Sequence, residues 1–64
     1  MKKKELRKLA QRLANCERII GDSASTPAQV AKAKDEIMSI SGSLTPMDMM
    51  IVDEITQEIL EENS

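Results

Sequence analysis

Hydrophobic residues recur along the first two thirds of this 64-residue chain at alternating intervals of three and four positions. The first series is Leu6, Leu9, Leu13, Cys16 and Ile20, and the second is Val30, Ala33, Ile37, Ile40 and Leu44. This alternation keeps one stripe of a helix facing a partner helix along its whole length. Two such stripes joined by a short polar stretch predict an antiparallel helical hairpin.

Glycine, proline and threonine mark the ends of the two hairpin helices. The first helix is expected over about 3–20, with Gly21 as a left-handed C-terminal cap. The second is expected over about 27–41, and Gly42 should end it. Its start is well marked, because Thr26 suits the N-cap, a proline follows, and Gln29 can complete a capping box.

A second Thr-Pro pair, Thr45-Pro46, predicts a third helix over about 46–61. Its inward stripe is expected to be Val52, Ile55 and Ile59. Short connections between helices favour antiparallel neighbours, so the predicted fold is all-α, a helical hairpin plus a third helix in a three-helix bundle. Residues 1–64 are expected to form a single helical domain.

The small size of the chain and its lack of aromatic residues limit the core that it can build. Chains below roughly 70–80 residues usually gain only about 3–5 kcal/mol from one core, unless a disulfide, a metal or a partner adds to it. Cys16 is the one cysteine, lies within the first apolar stripe, and is expected to be a buried hydrophobe. We therefore expect this chain to form a homo-oligomer, with a homodimer as the simplest form, or to bind a helical partner.

Charge is strongly segregated although the formal net charge is only −2. Residues 1–20 carry seven basic and two acidic side chains, a net charge of +5. Residues 45–64 carry six acidic side chains and no basic one, a net charge of −6. In an up-down-up bundle the basic start would lie far from Glu58, Glu61 and Glu62, so we expect the opposite charges to pair between two chains.

A basic patch on the first helix has two interpretations; it consists of Lys4, Arg7, Lys8 and Arg12. It can contact nucleic-acid phosphates, which would make the protein a small nucleic-acid-associated regulator. Alternatively, the basic patch can contact an acidic surface of a protein. The chain has no aromatic residue to stack on bases, so the second interpretation is favoured.

Apolar residues of the third helix lie on more than one face. If Val52, Ile55 and Ile59 point inward, then Met47, Met50 and Leu60 are expected to point outward as an interface. Methionine is an adaptable side chain that is favoured at partner-binding surfaces. These three residues carry the main functional hypothesis, a small non-enzymatic helical interaction or oligomerisation module.

No motif in the sequence indicates a catalytic site. Histidine is absent, no phosphate-binding loop is present, and we expect no catalytic residues, cofactor or metal. The acidic residues of the third helix are expected to be a solvated face and not a cation site. No apolar run is long enough to span a membrane, and the single cysteine fits a reduced, cytoplasmic setting.

Overall fold

A computed structural model describes residues 2–62. The described residues form three α-helices: α1 (Lys3–Gly21), α2 (Pro27–Ser43) and α3 (Pro46–Glu62). The all-α prediction and the three predicted helices are therefore confirmed, with α1 and α3 each one residue longer and α2 two residues longer than expected.

The three helices are centred on α1, which packs against both α2 and α3. Helices α2 and α3 have few contacts with each other, and the Cα atoms span only 15 Å in the thinnest direction of the molecule. The arrangement is thus a thin three-helix layer around α1, unlike a bundle in which every pair of helices packs equally.

The buried face of α1 is wider than the predicted stripe. Leu6 and Leu13 are buried as expected, and Ala10 and Ala14 beside them are completely inaccessible to solvent. Neither alanine belongs to the predicted stripe. At 100° per residue they extend the buried surface toward one side of α1, and their small side chains let a neighbouring helix approach closely.

Side chains of all three helices meet in one apolar core. Its buried members are Leu6, Ala10, Leu13, Ala14, Ile40, Val52 and Ile59. Residues around this cluster, among them Leu9, Ile37 and Ile55, are partly buried against it. Val52, Ile55 and Ile59 thus form an inward stripe on α3 as predicted.

Thr56 lies within the inward stripe of α3 and is also buried. Its hydroxyl donates to the Val52 carbonyl oxygen at 2.7 Å, and its Oγ1 lies 3.4 Å from the Ala10 carbonyl oxygen. The hydroxyl therefore has a partner inside the core, which avoids the cost of a buried unpaired polar group. Its close contact with the α1 backbone is made possible by the small side chain of Ala10.

Both threonine N-caps are as predicted. The Thr26 hydroxyl accepts the Gln29 backbone N–H at 3.2 Å, and the Gln29 side chain accepts the Thr26 N–H at 2.8 Å, which completes the capping box. At the start of α3, the Thr45 hydroxyl accepts the Asp48 N–H at 3.2 Å.

The two glycine-based predictions of helix ends are wrong. Gly21 lies within α1, and the chain leaves the helix through the extended residue Asp22. The Asp22 carboxylate then accepts the Ala24 N–H at 2.9 Å, so an aspartate turn replaces the left-handed cap. Gly42 likewise lies within α2, which ends at Ser43 because the residue before a proline, Thr45, is disfavoured in a helix.

Candidate functional site

The Arg12 side chain connects α1 to α2 and does not belong to a free basic patch. Its Nε donates to Glu36 Oε1 at 2.8 Å, and its Nη2 lies 2.6 Å from the same oxygen. Arg12 is therefore paired with an acidic residue of its own chain. Its place in a basic patch that contacts a partner stays a prediction.

Cys16 shares this Glu36 carboxylate. Its Sγ donates to Glu36 Oε2 at 3.2 Å, and the residue is buried. Burial, and then the hydrogen bond to Glu36, raises the pKa of the Cys16 thiol from 9.0 to about 11. Such a thiol is protonated and inaccessible near neutral pH, so Cys16 is part of the core and a poor nucleophile.

Glu36 is the acceptor at the centre of this polar cluster. The hydrogen bond from Arg12, and then the one from Cys16, lowers the pKa of the Glu36 carboxyl below its usual value. The carboxylate is thus ionised through the neutral pH range, and it links Arg12 and Cys16 of α1 to α2.

Arg7 also lies beside acidic residues of its own chain. A surface depression between α1 and α3 is lined by Lys3, Arg7, Ile51, Glu54, Ile55 and Glu58. The prediction that the basic start lies far from Glu58 is therefore wrong. The reason is that the first turns of α1 lie beside the middle of α3, so Lys3 and Arg7 partly offset the acidic charge of α3.

Lys4 and Lys8 differ from the other two members of the predicted basic patch. Both are exposed and belong to a row of five polar residues on the outer face of α1: Lys4, Lys8, Gln11, Asn15 and Arg18. Their spacing of four and three keeps them in line along the helix, over about 21 Å at 1.5 Å per residue. We call this set the α1 outer row; none of its residues is acidic.

Exposed apolar side chains cluster at the beginning of α3. Met47 is 73% exposed, Met50 is 66% exposed and Ile51 is 36% exposed. We call these three residues the α3 patch. They line one shallow surface depression together with Thr45, Pro46 and Glu54.

Leu60, the third residue of the predicted interface, lies elsewhere. It is partly buried and packs against the core cluster, as does Met49. The prediction that Leu60 points outward beside Met50 is therefore wrong. At 100° per residue, position 60 is turned about 80° from position 50, toward the core side of the helix. Ile51 replaces it in the α3 patch.

Residues 2–62 contain no cluster of three side chains placed to hold a metal ion. Among the same residues, no helix has the length and apolar character needed to cross a membrane. No protein-family model, curated protein or solved structure matches this chain. The α3 patch is an exposed apolar surface, and the α1 outer row is an exposed polar surface with three basic residues.

Proposed function

We propose that this protein is a small, non-enzymatic helical module that self-associates, and that the α3 patch is its contact surface. The observation that carries the proposal is the exposure of Met47 and Met50 beside Ile51 on one helix face. Single exposed apolar side chains are common on monomers, but a contiguous group in a depression is typical of an interaction site.

Methionine suits this role because its flexible, polarisable side chain adapts to different partner surfaces. Met38 on α2 is as exposed as Met47 and is absent from the lining of the α3 depression. It therefore serves as an internal comparison, since it has the same side chain and exposure at another position.

The size of the patch limits the strength of association. Full burial of one methionine side chain is worth about 1.5–3 kcal/mol, so two largely exposed methionines contribute roughly 2–5 kcal/mol together. Association of two chains costs an estimated 4–15 kcal/mol of lost freedom. The patch alone therefore supports weak association at best, and contacts outside it are needed for a stable assembly.

Sedimentation equilibrium over a range of micromolar concentrations tests the proposal. The wild-type chain should exceed its monomer mass of 7.1 kDa as concentration rises. Met50→Lys should shift the equilibrium toward the monomer, while Met38→Lys should leave it unchanged. A wild-type chain that stays monomeric, or equal effects of both substitutions, would contradict the proposal.

A further inference from the structure

We infer that the α1 outer row lies in the major groove of duplex DNA, with its basic residues on phosphates and its amide side chains at base edges. This contact uses a different surface from the α3 patch, and it does not depend on self-association. The evidence lies on the side of α1 that α2 and α3 leave uncovered.

Helix α1 forms a ridge, because the other two helices cover only one side of it. At 100° per residue, the buried residues of α1 lie within one arc of about 160°; they are Leu6, Ala10, Leu13, Ala14 and Cys16. Both α2 and α3 pack against α1. Asn15 lies opposite the middle of the buried arc, so the α1 outer row faces away from both neighbouring helices.

A single uncovered helix of this kind fits the major groove of B-DNA. An α-helix with its side chains is about 10–12 Å across, and the groove is about 12 Å wide. Helix α1 has 19 residues, of which the α1 outer row spans about 21 Å. At about 3.4 Å per base pair, the row is long enough to contact several consecutive pairs.

The basic residues of the α1 outer row are not neutralised within residues 2–62. Lys4, Lys8 and Arg18 are all exposed, and none of them forms an ion pair with another described residue. Lys4 and Lys8 are four residues apart, a spacing at which like charges destabilise a helix. Positive charge near the start of α1 also opposes the helix dipole. A bound polyanion removes the first cost and offsets the second.

Two amide side chains, those of Gln11 and Asn15, lie between the basic residues of the row. Both are exposed, and neither side chain has a hydrogen-bond partner within residues 2–62. In the major groove, Asn and Gln can form paired hydrogen bonds with adenine, whereas Lys and Arg contact phosphates or guanine. The row therefore places groups that read bases in its middle and groups that bind phosphate toward its ends.

The acidic charge of α3 lies to one side of this ridge. Glu54 and Glu58 line the depression between α1 and α3 together with Lys3 and Arg7. At 100° per residue, Lys3 and Arg7 lie on the side of α1 toward α3, between this acidic pair and the α1 outer row. A duplex on the row therefore meets further basic residues before it meets the glutamates, although the net charge of the chain is −2.

Other polyanions fit the α1 outer row less well. The absence of aromatic residues disfavours single-stranded nucleic acid, whose bases stack on aromatic side chains, but a duplex is read by hydrogen bonds. The major groove of an RNA duplex is too deep and narrow for side chains to read. An anionic membrane is disfavoured because the apolar face of α1, which would enter the lipid, is buried in the core.

Fluorescence anisotropy of a labelled DNA duplex of about 20 base pairs tests the contact. With three phosphate contacts, the affinity of the wild-type chain should fall about 40-fold between about 50 and 200 mM salt. Lys8→Gln removes one contact and should reduce this fall to about 12-fold. Lys34→Gln, the same change at an exposed site on α2, is the matched control and should behave like wild type.

Asn15→Ala tests the contact with bases. The wild-type chain should prefer a duplex of adenine–thymine pairs to one of guanine–cytosine pairs, and the variant should lose this preference but keep the salt dependence. Helical circular dichroism of each variant verifies that the chain is folded. A preference that persists in Asn15→Ala would show that this amide does not read the bases.

Three results would overturn the inference as a whole. The first is no binding to the duplex at about 50 mM salt, where phosphate contacts are strong. The second is an equal effect of Lys8→Gln and Lys34→Gln, which would place the contact outside the α1 outer row. The third is equally tight binding to the single strand of the same sequence, to poly-glutamate or to phosphatidylserine vesicles, since the row would then recognise negative charge alone.

Discussion

Arg12 and Glu36 join α1 to α2 through two nitrogen–oxygen contacts, at 2.6 and 2.8 Å, to a single carboxylate oxygen. Their partner on the other carboxylate oxygen is Cys16, which is buried. The pair therefore lies at the edge of the core, where it orders the hairpin more than it adds to the free energy of unfolding, because half-exposed ion pairs are screened by water.

Acid should destabilise the hairpin through Glu36. Its pKa is lowered in the folded state, mainly by Arg12 and then by Cys16, with Lys32 acting in the same direction. The resulting stability is present above the ordinary glutamate pKa of about 4.3 and is lost as pH falls through the lower folded value. Urea unfolding midpoints measured across this range should decline for wild type.

Glu36→Gln removes the titrating group and should flatten that part of the pH profile. Asp35→Asn, at an exposed neighbouring position, is the control and should retain the decline. Identical acid profiles for wild type and Glu36→Gln would show that the carboxylate does not stabilise the fold.

Alkali should destabilise the fold through Cys16. Its folded pKa is about 11, above the ordinary value of 9.0. As pH rises, the Cys16 thiol therefore loses its proton in the unfolded chain before it does so in the folded chain. The stability that this thiol contributes is fully present below pH 9 and falls between pH 9 and 11. Cys16→Ala should lose this decline, at the cost of a lower stability at neutral pH. Thermal melting of both proteins as a function of pH measures the effect.

Core truncation should separate fully buried from partly buried positions. Leu13→Ala should cost about 2–5 kcal/mol, because Leu13 is buried and its truncation leaves a cavity in the core. Ile37→Ala should cost less, since Ile37 is only partly buried. Urea denaturation gives both values, and an equal loss for the two variants would contradict the described core.

Enlarging Ala10 should push α3 away from α1. Ala10 is fully buried and its carbonyl oxygen lies 3.4 Å from Thr56 Oγ1, so Ala10→Leu should cost about 1–3 kcal/mol through overpacking. Ala31→Leu, at an exposed site on α2, should have little effect. A stability change of the same size at both sites would argue against close contact between α1 and α3.

Local sequence patterns predicted the three helices and their N-caps better than the helix ends and the contacts between helices. The caps at Thr26 and Thr45 depend on neighbouring residues alone, and both are present. Gly21 and Gly42 are also typical of helix ends, but Asp22 and the Thr45-Pro46 pair determine where the chain leaves the helix. Where two helix-ending signals lie within two or three residues of each other, the sequence alone does not show which one ends the helix.

Contacts between helices were harder to predict from the sequence than the helices themselves. Ala10 and Ala14 are too small to mark an apolar stripe, so the second buried face of α1 was missed. Thr56 follows the helical spacing of Val52 and Ile59, and that spacing was a signal for its burial. The pairing of Arg12 with Glu36 depends on the register of the hairpin, which the apolar stripes alone do not determine.

Amide chemical shifts in a dilution series show whether copies of this chain associate through the α3 patch. The shifts of Met47, Met50 and Ile51 should change with concentration, while those around Met38 should stay constant. Shifts that are independent of concentration, or that change mainly on the outer face of α2, would contradict this association.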